Sequence, residues 1–141
     1  MIIKQISVLI ENKPGTLAEL TRFLADKGVN LRALSIADTQ DFGILRLICE
    51  DPDEVHEALK ADGYIVSMTD VLAVELADRP GSLAAVLELL AKAGVMVEYT
   101  YAFLTTRVGA AFMIFRVDDN AKAEQTLTAA GIRLANMRDL F

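Results

Sequence analysis

The sequence predicts an α+β fold built from two copies of one small module, and three observations carry that expectation. Asn12-Lys-Pro-Gly-Thr-Leu17 returns as Asp78-Arg-Pro-Gly-Ser-Leu83, with Pro14 and Pro80 66 residues apart. The same offset carries Gly28-Val29 onto Gly94-Val95 and Gly43 onto Gly109. Within each half, stretches of two-residue apolar alternation are interleaved with stretches of helical spacing. A repeat of this kind marks a duplicated supersecondary unit whose function can lie between copies as well as inside one.

The elements follow in order. Gln5 to Glu11 alternates as a strand, with Ile6, Val8 and Ile10 on one face. It stops at Asn12-Lys-Pro-Gly, where Pro14 lacks an amide proton and Gly15 admits unusual backbone angles, so the chain turns into a helix with Thr16 as the expected cap. Leu17, Leu20 and Leu24 recur at helical spacing until Gly28, placed as a left-handed C-terminal cap. Leu31 to Asp38 and Ile44 to Glu50 read as a hairpin. Asp51-Pro-Asp-Glu starts a second helix with acids at its positive end, buried through Val55 and Leu59 and closed before Gly63; Tyr64 to Met68 is the last strand. The second half repeats the order: Val71 to Leu76, a helix from Ser82 to Ala93, strands near Val97 to Leu104 and Gly109 to Val117, a helix near Ala121 to Ala130 and a strand from Ile132.

Each half is therefore βαββαβ, the ferredoxin-like arrangement of an antiparallel sheet with both helices on one face. The expected domains are residues 1–69 and 70–141. Only Thr69 and Asp70 separate the last strand of one from the first of the other, which leaves no linker and implies modules packed side by side. Units of about 70 residues are near the lower limit for an independent core. Hydrophobic residues make up 53% of the chain, but charges interrupt every apolar run before the ~18 residues of a membrane span. The start Met1-Ile-Ile-Lys-Gln-Ile has no signal-peptide pattern, and Cys49 is the single cysteine, so a cytoplasmic protein without disulfides is expected. A net charge of −6 without a basic cluster argues against nucleic acid as a partner.

A βαββαβ module whose first loop reads Asn-Lys-Pro-Gly-Thr-Leu and whose first helix ends in Gly-Val-Asn resembles the ACT domain, a small regulatory module of amino-acid metabolism. The likeness covers nearly the whole chain, and the pairing of two such modules with nothing else attached is similar to stand-alone tandem ACT proteins. The resemblance implies a free amino acid bound where the first loop of one domain meets its neighbour. It points to Asn12, Lys13, Pro14, Gly15, Thr16, Leu17 and Asn30 as ligand-binding residues. The second copy departs from the pattern, with Asp78 and Met96 where the first has asparagines, so Asp78, Gly81, Ser82 and Leu83 form a weaker second candidate, with Tyr99 and Tyr101 as a pocket wall.

Elementary chemistry agrees with the first loop. A zwitterion needs donors for its carboxylate and acceptors for its ammonium, and a Pro-Gly turn at a helix start presents open amides to an anion. Nothing in the sequence assembles a catalytic group: His56 lies among acids on a helix, Cys49 lies in an apolar strand, and the glycines form no nucleotide-binding loop. The acids at Asp51, Asp53, Glu54, Asp118 and Asp119 lack metal-ligand spacing and read as helix starts, so neither metal nor cofactor is expected. Tyr99, Tyr101 and Phe103 stand where the repeat places Ala33, Ser35 and Ala37, so the two copies have different neighbours at that strand. Leu45 and Leu47 alternate with Ile44 and Ile48, and Met113 and Phe115 with Phe112 and Ile114; sheets apolar on both faces predict a homodimer. The function expected is non-catalytic sensing of an amino acid, with a metabolic enzyme as a further partner. The alternative is a constitutive assembly or regulatory subunit that binds no ligand.

Overall fold

The computed structural model describes residues 1–105 and 108–141. Its elements are β1 (Ile3–Glu11), α1 (Thr16–Asp26), β2 (Ala33–Asp38), β3 (Phe42–Ile48), α2 (Pro52–Ala61), β4 (Ile65–Ala77), α3 (Ser82–Lys92), β5 (Val97–Phe103), β6 (Ala110–Val117), α4 (Asn120–Ala129), β7 (Leu134–Ala135) and α5 (Met137–Leu140). Lys4–Thr69 forms one compact unit, and Asp70–Phe141 with Met1–Ile3 forms the other. Two features differ from expectation. β4 runs unbroken through Thr69 and Asp70, where two strands were expected, and the chain ends in a short helix, α5, whose Asn136 and Asp139 cap each other reciprocally.

In the first unit β3 pairs antiparallel with β1 and with β2, and β1 pairs also with β4. Ile6, Val8 and Ile10 of β1 and Leu45 and Leu47 of β3 face Leu20 and Leu24 of α1 and Val55 and Leu59 of α2. Both helices thus cover one sheet face. The second unit repeats the design, with Leu72, Val74 and Leu76 of β4 and Phe115 and Val117 of β6 beneath Val86 and Leu90 of α3 and Leu127 of α4.

Helix ends explain how so short a chain makes these turns. Gly28 takes φ +75°, its N–H bonds Ala25 O and the Val29 N–H bonds Leu24 O, both at 2.9 Å. This is the Schellman pattern, in which a residue without a β-carbon occupies the left-handed position while Leu24 and Val29, on either side, enter the same core. The same pair of bonds closes α2 at Leu59 and Tyr64, α3 at Leu90 and Val95, and α4 at Leu127 and Ile132.

The register corrects one reading of the repeat. Ile10 and Leu76, 66 residues apart, are opposed by Gly43 and Ala111, which are 68 apart. Gly109 is therefore not the counterpart of Gly43: its carbonyl accepts from Asp78 N–H, the place that Asp41 fills for Asn12. The hairpin of the second unit is longer by two residues, and from there to the end the offset is 68, which places Asp62 on Ala130 and Gly63 on Gly131.

The sheet face opposite the helices also differs from expectation. Phe112, Ile114 and Ile48 are buried within the single chain, so of the alternating side chains on that face only Ile44 is exposed, with Leu9 across from it and Phe42 beside it, the three 37–47% exposed. Phe103 packs edge-on against Phe112 and against Phe141, at 6.2 Å between ring centroids in each case. The aromatic strand is thus partly core. Two substitutions separate packing from backbone conformation. Leu24→Ala removes a fully buried side chain and is expected to cost about 2–5 kcal/mol. Gly28→Ala meets nothing within 4 Å but forces a β-carbon into the left-handed region, at about 1 kcal/mol. Urea denaturation of the two variants checks that order.

Candidate functional site

The Asn12–Thr16 loop is a compact turn held by its own backbone. Asn12 N–H donates to Asp41 O (2.9 Å), Lys13 N–H to Glu11 O (3.0 Å) and Thr16 N–H to Lys13 O (3.3 Å). Gly15, at φ +89°, is the N-cap of α1, so Thr16 is not the cap but the first helical residue. Its hydroxyl donates backward to Glu11 O (2.7 Å) and Lys13 O (3.0 Å), which ties the end of β1 to the helix. Gly81, at φ +90°, caps α3 in the same way. The next amide to find an acceptor is that of Glu19, on Gly15 O (2.9 Å). The first-turn N–H groups of Leu17 and Ala18 therefore stay open at the positive end of α1, as helix starts leave them.

Beside this loop lies a cleft of about 450 Å³, lined by Leu9, Ile10, Glu11, Thr16, Glu19, Phe42, Asp62, Gly63, Tyr64 and Ile65. It lies wholly within the first unit. Glu11 is paired with Lys13 at 2.7 Å, and that contact holds the Lys13 ammonium above its ordinary range, first through the hydrogen bond and then through charge. Glu19 and Asp62 have no ion pair among the described residues. Burial, and then the charges of Glu19 and Asp62, raise the Tyr64 hydroxyl above its ordinary value, so both carboxylates act on that part of the cleft. The wall joining them is apolar, from Leu9, Phe42 and Ile65.

Of the residues singled out from the sequence, Thr16 lines this cleft and Asn12, Lys13, Pro14, Gly15 and Leu17 form the adjoining turn. Asn30 does not join them: it is exposed and follows the far end of α1, about 16 Å along a helix of 11 residues. Glu19, Asp62, Phe42, Tyr64 and Ile65 were not foreseen. A signal for the acids existed in the repeat: Glu19 stands against Ala85 at the offset of 66, and Asp62 against Ala130 once the offset changes to 68 beyond the hairpin. Tyr99 and Tyr101 stack on each other at 6.4 Å and line neither this cleft nor its counterpart.

That counterpart lies within the second unit. Its walls include Glu75, Leu76, Arg79, Ser82, Gly131 and Arg133. Arg133 reaches Glu75 at 3.1 Å and Asp139 of α5 at 3.5 Å. Of the residues expected there, Ser82 lines the cleft, while Asp78, Gly81 and Leu83 belong to the turn and helix start.

Asp119 caps α4 by accepting from Lys122 N–H (3.0 Å), and Asp118 accepts from Met96 N–H (2.9 Å). His56 is 3.2 Å from Glu57 on the same helix. Burial, helped by Asp51, pushes the Cys49 thiol up to about 11. Among the described residues, no three His, Cys, Asp or Glu side chains are grouped to hold a metal, and no helix is long and apolar enough to cross a membrane.

Two measurements test this description. The folded Tyr64 hydroxyl titrates above the ordinary value of 10.0, so its contribution to stability is present in full below that pH and is lost as pH rises through the folded value. Glu19→Gln is expected to bring the Tyr64 phenolate transition down in an absorbance titration; an unchanged transition would separate Glu19 from Tyr64. Cys49 is expected to resist alkylation at neutral pH in the native protein and to react freely in urea, because only the thiolate is nucleophilic.

Comparison with known proteins places this geometry. A family model described as an ACT domain pair matches residues 1–141. A solved structure of a protein from Bacteroides thetaiotaomicron is 39% identical, covers 99% of this chain and 96% of its own, and superposes with a TM-score of 0.92. The regulatory subunit of aspartate kinase from Thermus thermophilus, in a ligand-free form, is 20% identical over 92% of this chain and 91% of its own, with a TM-score of 0.69. The aspartate kinase of Synechocystis shares the fold at 20% identity and a TM-score of 0.61, over 96% of this chain and 27% of its own. No curated protein sequence matches this chain.

Proposed function

Because the chain belongs to the ACT domain pair family, we propose that it is a non-catalytic regulatory protein that senses a free amino acid, bound in the cleft of the first unit beside Asn12–Leu17. The observation that carries this reading is the polarity of that cleft. Glu19 and Asp62, unpaired by any cation of the described chain, line it as acceptors for an ammonium, and the helix start that follows the lining residue Thr16 offers the open amides of Leu17 and Ala18 to a carboxylate at its edge. Leu9, Phe42 and Ile65 leave an apolar wall for a side chain. A zwitterion with an apolar or small side chain satisfies all three. A solvated inorganic cation would leave the amides and the apolar wall unused.

The ligand's effect is exerted on another protein. A regulatory subunit of aspartate kinase from Thermus thermophilus has this fold, which supports a metabolic enzyme as the partner. We place the protein in the cytoplasm, as a homodimer associating through the exposed strip of Leu9, Phe42 and Ile44.

Calorimetric titration with the proteinogenic amino acids tests the proposal. One small set is expected to bind, and its N-acetylated forms are expected not to, since acetylation removes the ammonium. Glu19→Gln is expected to weaken binding by about 1.5–3 kcal/mol, the range for a hydrogen bond to a charged group. Asn30→Ala is expected to leave affinity unchanged, because of its distance from the cleft. Binding abolished by Asn30→Ala and untouched by Glu19→Gln would move the site elsewhere. No amino acid binding, together with a stable complex with an enzyme, would favour constitutive assembly.

A further inference from the structure

The two clefts occupy equivalent places in the repeat, yet their charges are opposite. Each acid of the first has become alanine in the second: Glu11 corresponds to Ala77, Glu19 to Ala85 and Asp62 to Ala130. All three alanines are exposed, so core packing does not account for the loss. Two other positions change in the basic direction or stay basic: Ile65, which lines the first cleft, becomes Arg133, and Lys13 of its adjoining turn becomes Arg79. The single acid gained, Glu75, has its charge met by Arg133 at 3.1 Å. Arg79 has no ion pair among the described residues. The residue count in the cleft is two guanidinium groups against one carboxylate, in a space of about 470 Å³.

We propose that the second cleft is a binding site for a small anion that carries no ammonium group, a carboxylate or a phosphate, held by Arg79 with Arg133 and with the Ser82 hydroxyl beside them. Guanidinium groups suit both oxyanions because their planar donors match two oxygens at once. Loss of all three acids of the first cleft disfavours the zwitterion, since its ammonium would face two arginines with only Glu75, already paired with Arg133, to meet it. The duplicated site has thus divided into one that reads an amino group and one that rejects it. The protein then responds to two chemically distinct ligands. Arg133 also contacts Asp139 of α5 at 3.5 Å, so an anion drawing on Arg133 competes with a contact to the C-terminal helix.

The test is titration of the full chain with inorganic phosphate and, separately, with pyruvate as an amine-free carboxylate. At least one is expected to bind at millimolar concentration or below, and the arm that binds identifies the oxyanion. Arg79→Ala, at an exposed position, is expected to weaken that binding about tenfold. Ala85→Glu, which restores an acid of the first cleft at an exposed position, is expected to have at least as large an effect, while Glu19→Gln leaves it unchanged. Thermal melts of each variant confirm folding. Failure of both probes to bind the wild-type chain overturns the inference, as does binding that survives both Arg79→Ala and Ala85→Glu. Amino acid binding sensitive to Glu19→Gln stands or falls separately, so a failure here leaves the first cleft's assignment intact.

Discussion

Each unit depends on returning two short helices to one face of a small sheet, and the leucine at the end of each helix is where that is done. Leu24, Leu59, Leu90 and Leu127 lie in the cores, and each gives its carbonyl to the N–H of the residue that resumes the path to the sheet. The glycine between them turns the chain in one residue, which no β-carbon-bearing residue does without strain. In a unit of about 70 residues little buried area can be spared. A helix leaving at another angle would lift its leucines from the sheet. The αL turn, the apolar face and the antiparallel register are therefore one constraint.

That constraint leaves the cleft residues free to vary. Thr16 and Ser82, Gly63 and Gly131 preserve the backbone of both clefts, while the side chains around them carry the chemistry. The first cleft joins an apolar wall to two carboxylates that have no ion pair among the described residues, and it lies beside the start of α1. The second has exchanged its free acids for alanine and gained an arginine. Duplication supplied two identical frames, and surface substitutions, each with little consequence for the core, set their charge.

Much of this architecture is legible in the sequence. The period-two face of Ile6, Val8 and Ile10 and the helical spacing of Leu17, Leu20 and Leu24 follow from the geometry of strand and helix alone. Gly28 reads as a left-handed cap because few other residues suit that place. The hairpin is not legible, since Gly43 and Gly109 look equivalent at an offset of 66; two added residues in a loop change register without changing any periodic signal. The place of Thr16 is equally hidden, because a hydroxyl before an apolar run suits the N-cap, whereas Gly15 holds that position and the Thr16 hydroxyl turns back to Glu11 O.

The sequence by itself determined the duplication, the order of elements and the apolar face of each strand and helix, because those rest on local spacing that any fold must satisfy. Only the tertiary structure decided which polar residues share a cleft. Glu11, Glu19 and Asp62 come from a strand end, a helix and a turn, and their meeting depends on strand pairing and helix packing over the whole unit. Asn30 lies nearer in sequence to Asn12 than Asp62 does, yet the length of α1 carries it away from the cleft while the pairing of β1 with β4 brings the turn after α2 close. Contacts between distant segments leave no periodic trace in the chain, and the chemistry of this protein rests on such contacts.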